Sequence, residues 1–129
     1  LPAGFRKGLE LFNLQRAIAT GGRIVIVVEG YFDCVRVHQA GFPCVVALMG
    51  SSLSAAQESG LRRHFEGIVL MLDGDAAGRA ASDVIATRLS GWRSVQVVRV
   101  SDCSQPDQLS PSAIRLLLAE LVARTKGPW

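Results

Sequence analysis

The chain has 129 residues, about one domain's worth, and 49% of them are apolar, enough for a packed core and too many for a disordered segment. No apolar run approaches the roughly 18 residues of a membrane helix, so no spanning segment is expected. The net charge of +3 comes from twelve Arg and two Lys against eleven acids, a mild basicity that suits a nucleic-acid partner without requiring one. The first residue is Leu1 and no signal-peptide pattern follows, so the chain reads as a piece of something larger. The three cysteines, Cys34, Cys44 and Cys103, are odd in number and lack CxxC spacing, which argues against a disulfide framework or a zinc site. Cys34 and Cys44 lie in apolar stretches and read as small core residues; a cytoplasmic, reducing compartment is expected.

In chain order, residues 8–20 read as an amphipathic helix whose apolar side is marked by Leu9, Phe12 and Leu14 through Ile18, with Gly21-Gly22 as its stop. Residues 23–28 lack polar alternation, as expected of a strand covered on both faces. Tyr31 to Ala40 predict a helix ended by Gly41 and Pro43, and Cys44 to Leu48 a short second strand. Ser54-Ala55-Ala56-Gln57 has the capping-box pattern and opens a helix to about His64. Residues 67–72 predict a third strand, Ala76 to Ser90 an alanine-rich helix ended by Gly91, and Ser94 to Val100 a fourth strand. Ser110-Pro111 places an N-cap before a proline at the first helical position, opening a last helix to about Arg124. One helix followed by four strand–helix pairs predicts an α/β fold, a four-stranded parallel sheet with helices on both faces.

The acids are unevenly placed. Five of the eleven (Glu29, Asp33, Asp73, Asp75 and Asp107) fall at strand carboxyl ends or just beyond. In an open parallel sheet those ends face one crevice, where ligands bind. Carboxylates gathered there repel one another and call for a cation, so the pattern predicts a divalent-metal site, Mg²⁺ foremost, acting on phosphate. In Asp73-Gly74-Asp75 the glycine permits a sharp turn that aims both carboxylates at one place. The bland alternative is a solvated Asp-Gly turn. Arg79, one turn into the helix that follows, can hold a phosphate bidentately or simply face solvent. Glu29 ends an unbroken apolar run and can ligate a metal or, with its pKa raised by neighbouring carboxylates, move a proton. Asp33 either touches a metal through water or caps its own helix. Asp107 follows the fourth strand, where it can complete the ring or be solvated. His38 and His64 fall inside predicted helices, away from the strand ends, and read as surface or core residues.

The constellation resembles the toprim domain, the metal-binding module of bacterial primases, type IA and type II topoisomerases and some nucleases. Its pattern is a glutamate after the first strand and a DxD after the third, here Glu29 and Asp73-Gly74-Asp75. Within that family the chain is most similar to the catalytic core of bacterial DnaG-type primases. Four strings carry the resemblance in order: Lys7-Gly8 with Leu11-Phe12-Asn13-Leu14; Val28 through Asp33; Ala47 through Leu53; and Asp73 through Ala81. The resemblance implies a toprim fold over residues 23–124, with an N-terminal helical stretch at 1–22 and a tail at 125–129. It implies primer synthesis on single-stranded DNA from nucleoside triphosphates. Glu29, Asp73 and Asp75, more weakly Asp33, and Asp107 would hold Mg²⁺ or Mn²⁺, with Arg79 and Arg36 adding positive charge near the phosphates. The family's last acidic motif is Asp-Pro-Asp; here it reads Gln105-Pro106-Asp107, which implies a weakened outer cation site. The primase zinc-binding region and the basic subdomain that grips template are not in this sequence. A replicative helicase is therefore an expected partner only through other domains.

Rival readings differ in what they require. A toprim nuclease would use the same metals to activate water. A metal- or nucleotide-binding module without catalysis fits the amide at Gln105. A topoisomerase needs a nucleophilic tyrosine, and the single tyrosine, Tyr31, belongs to the glutamate motif. A phosphoacceptor receiver domain needs a late lysine, and none lies between Lys7 and Lys126.

Overall fold

An unbroken apolar run such as Ile24–Val28 can face water on neither side, so it becomes a strand buried between two helical layers. The computed structural model describes residues 10–92, 94–100 and 108–124. Strands β1 (Ile24–Val28), β2 (Val45–Ala47), β3 (Gly67–Leu70) and β4 (Ser94–Val97) form one parallel sheet in the order β2-β1-β3-β4. Among the described residues five helices cover it: α1 (Leu14–Ala19), α2 (Tyr31–Gln39), α3 (Ala55–His64), α4 (Ala76–Arg88) and α5 (Pro111–Arg124). The period-two pleat sorts the core into two layers. Val25, Val27, Ile68 and Leu70 pack with Ala17 of α1, Leu61 of α3, and Ile85 of α4. Ile26, Val28, Val69 and Met71 pack with Val37 of α2 and with Ile114 and Leu118 of α5.

The sheet order decides where a site can form. From β1 the chain moves outward to β2, then returns past β1 to β3, so β1 and β3 are neighbours, paired from Ile24–Gly67 to Val27–Leu70. Helices leave in opposite directions on either side of this reversal, and a crevice opens above it at the carboxyl ends.

Three expectations need correction. Of the predicted helix over 8–20, the described residues from Glu10 on are helical only over Leu14–Ala19. Phe12 instead forms an antiparallel bridge with Ala47, its N–H donating to the Ala47 carbonyl at 2.9 Å and its carbonyl accepting from the Ala47 N–H at 3.1 Å. The edge of β2 offers unpaired backbone groups, and satisfying them outweighs extending a helix. Asn13 makes the turn between bridge and helix in a left-handed conformation (φ 70°), and its side chain donates to the Val45 carbonyl at 3.0 Å. The third and fourth strands also stop early, at Leu70 and Val97 rather than at 72 and 100. Their apolar ends, Leu72 and Val100, remain buried in the core without continuing the ladder.

The other local signals hold. Ser54 and Gln57 exchange capping bonds of 3.0 Å, and the Ser110 hydroxyl accepts from the Ala113 N–H at the start of α5. Gln57 does more than cap. It is buried, and its amide donates to the carbonyls of Glu10 and Leu48 at 3.1 Å, tying the segment before α1 to the end of β2. Cys34 and Cys44 are buried free thiols, and burial pushes Cys34 up to about 12, which keeps it inert. Among the described residues no helix is long and apolar enough to cross a membrane. Lys7-Gly8, Cys103, Gln105, Asp107 and the tail at 125–129 lie outside the described residues.

Candidate metal centre

Glu29 is the first residue after β1, and Asp73 lies three residues past the end of β3. Because those strands are adjacent, the two acids meet. The Asp73 main-chain N–H and side chain lie close enough to the Glu29 carboxyl to act on its ionisation. Burial nevertheless raises the Glu29 pKa above its usual value. The Asp73 N–H pulls it down, the charges of Asp75 and Asp33 push it up, and the Asp73 side chain pulls it down again. Oε1 of Glu29 is buried and accepts no hydrogen bond, and the same is true of the Oδ1 atom of Asp73, a residue engaged through its other atoms. A buried acceptor left in this state costs stability in the free protein.

The remaining acids are committed differently. Asp75 is the N-cap of α4, its Oδ1 accepting from the Gly78 N–H at 2.7 Å. Asp33 is buried, and its Oδ2 accepts from the Gly30 N–H at 3.1 Å, so it caps α2. Both act on Glu29 through their charge. Among the described residues no three carboxylate, imidazole or thiol groups converge into a ready-made metal cage. Asp75 thus serves two ends: its Oδ1 caps α4, and its charge acts on Glu29. What is assembled is a pair of touching carboxyls with buried acceptor oxygens and two further negative charges close by. This all-oxygen donor set fits a hard divalent cation, which takes one or two carboxylates and completes its shell with water and phosphate oxygens.

The surrounding walls differ in character. On the β4 side a small cleft is lined by Asp73, Gly74, Arg79, Ser82 and Arg99. Arg79 is exposed in the first turn of α4. Arg99 lies inside the run Ser94 to Val100 that the sequence assigns to a strand, so only the early end of β4 at Val97 marks it as a crevice residue. On the β2 side Phe12, Tyr31 and Phe32 form an aromatic cluster, with centroids 5.0 Å apart for Phe12–Tyr31 and 5.3 Å for Tyr31–Phe32. Arg36 is half-buried about a turn and a half along α2 from the crevice. His38 and His64 are exposed at the far ends of their helices.

The toprim domain model matches residues 23–101, which contain β1 to β4 and both acidic turns. The chain belongs to the toprim family. Metal binding is general in this family, and the domain is homologous to DnaG primase catalytic cores. A DNA primase of Clostridium acetobutylicum is 35% identical over 109 residues, covering 81% of this chain and 18% of the relative. The structure of the Aquifex aeolicus primase zinc-binding and RNA polymerase domains superposes with a TM-score of 0.77 at 31% identity, over 93% of this chain and 32% of that one. A DnaG primase catalytic domain bound to single-stranded DNA gives a TM-score of 0.75 at 28% identity, over 90% and 40%. The chain therefore spans less than a fifth of the length of that curated relative.

Proposed function

We propose that this toprim domain, bounded at residues 23–124, is the metal-binding catalytic module of a DnaG-type DNA primase. It makes short RNA primers on single-stranded DNA by Mg²⁺- or Mn²⁺-dependent nucleotidyl transfer. The observation that carries this reading is the contact of Glu29 with Asp73 at the β1/β3 reversal, with a buried Glu29 oxygen that accepts nothing. Glu29 and Asp73 are the ligands, Asp75 adds charge while capping α4, and Asp33 holds α2 in place. Asp107, which lies outside the described residues, is proposed as a further ligand on the strength of the family pattern alone. The bound cation would supply charge neutralisation for a triphosphate and activation of a 3′ hydroxyl. Around it this chain's own residues orient the reactants. Arg79, and Arg99 across the same cleft, hold phosphate oxygens, and the Glu29 carboxyl, its pKa raised by burial, takes up or releases a proton. Arg36 adds positive potential at longer range. A template of single-stranded DNA, as in the DNA-bound relative, and nucleoside triphosphates are the proposed partners. Contacts with a replicative helicase fall to regions beyond this chain, and the setting is the cytoplasm.

The test is calorimetric titration of Mn²⁺ and Mg²⁺ into the chain and into a folded Asp73→Asn/Asp75→Asn double variant. Binding by the wild type that the variant loses is the expected result. A wild type that binds neither ion, with or without a nucleoside triphosphate, would exclude a self-contained metal site in this chain.

A further inference from the structure

Glycine is a poor helix former, second only to proline, yet one stands in the first turn of α4. Gly78 is buried and touches both aspartates of the acidic turn. Its N–H donates to Asp75 Oδ1 at 2.7 Å. Its bare Cα faces the Asp73 main chain so closely that a Cβ would sit 2.0 Å from the Asp73 carbonyl oxygen, 2.7 Å from its carbon and 3.0 Å from its Cα. Those atoms are main chain rather than the far end of a flexible side chain, so a Cβ there can be accommodated only by displacing the Asp73 backbone or the first turn of α4. The Gly78 carbonyl in turn accepts from the buried Ser82 hydroxyl at 3.0 Å. Ser82, Gly78 and the two aspartates are thus linked through consecutive contacts, with no other side chain intervening.

We propose that Gly78 is the positioning residue of this site. Its missing side chain and its N–H together fix the separation of Asp73 and Asp75, and thereby set divalent-cation affinity; Ser82 buttresses it. The inference rests on the metal-site reading above and goes beyond it, because Gly78 itself offers no ligand atom to a cation. A side chain here pushes the first turn of α4 off the Asp73 carbonyl. It rotates Asp73 away from Glu29 while leaving every ligand in the sequence.

The experiment compares Mn²⁺ affinity by calorimetry for wild type, Gly78→Ala, Ser82→Ala and a control, Gly91→Ala, whose added Cβ meets nothing within 4 Å. Each titration is run well below the melting temperature of the variant concerned, so that a stability loss alone does not alter the reading. Expected is a loss of roughly 10–100-fold for Gly78→Ala, the range for residues that orient metal ligands. Ser82→Ala should show a smaller loss in the same direction, and Gly91→Ala none. A folded Gly78→Ala with wild-type affinity overturns the proposal. If Gly78→Ala does not fold, Ser82→Ala decides: unchanged affinity overturns the proposal and weakened affinity upholds it. A wild type that binds no Mn²⁺ removes the metal-site reading and this inference with it, an outcome recognisable because the unsubstituted chain fails.

Discussion

Glu58 and Glu29 are two glutamates in one small fold with opposite surroundings. Glu58, on α3, lies between Arg62 and Arg88 and forms ion pairs with both. The Arg62 hydrogen bond, foremost, holds its carboxyl below the usual range. Arg88 also donates to the Leu53 carbonyl, and Arg62 lies 5.7 Å over the Trp92 ring, so the charges of Glu58, Arg62 and Arg88 all have partners within the fold. Glu29 faces other acids, its pKa is raised by burial, and one of its oxygens accepts nothing. The first arrangement contributes to the folded state. The second is tolerated by it, and sites that cost stability in this way are where a ligand's binding energy is most readily used.

The comparison is broken most directly by Glu29→Gln. The variant should lose divalent-cation affinity by about 10-fold or more, measured by calorimetry. A carboxyl whose folded-state pKa lies above its unfolded value adds stability below the unfolded value and loses that contribution as pH rises through the folded one. In metal-free buffer the melting temperature of Glu29→Gln relative to wild type should therefore climb as pH rises from 4 through the raised pKa. A difference that is flat with pH would show that Glu29 is not electrostatically strained. For the wild type the same shift means that metal binding displaces a proton and tightens over that pH range.

Gln57→Ala asks whether the structural scaffold and the crevice are separable. It leaves the buried Leu48 carbonyl and the Glu10 carbonyl without this donor, so a loss of about 1–3 kcal/mol is expected by denaturant unfolding. Mn²⁺ affinity should be retained. Glu58→Gln is the smallest perturbation. Exposed ion pairs contribute up to about 1 kcal/mol, so its effect should lie within that bound, shrink with added salt and leave metal binding untouched.

Much of this was written locally in the chain. Four apolar runs separated by helix-length segments dictated strand count and parallel pairing. The Ser54/Gln57 and Ser110-Pro111 signals marked two helix starts, because capping depends on residues three apart. Glu29, Asp73 and Asp75 stood out because acids directly after buried strands are rarely incidental. The helix predicted over 8–20 is cut short for a non-local reason: Phe12 pairs with Ala47, some 35 residues away in the chain, where an open sheet edge competes with helical periodicity. Likewise no local pattern distinguishes an apolar strand from the buried loop that continues it, so β3 and β4 read too long.

The sequence by itself determined the elements, their alternation and the acids at their ends, since these follow from periodicities of two and 3.6 residues and from the residues that start and stop helices. Tertiary structure alone decided that β1 lies beside β3, which brings Glu29 against Asp73. It also decided that Asp75 and Asp33 turn back onto their helices, and that Gly78 meets the Asp73 backbone. Those outcomes depend on pairing between distant segments and on atomic contact distances, and neither is encoded in the order of polar and apolar residues along the chain.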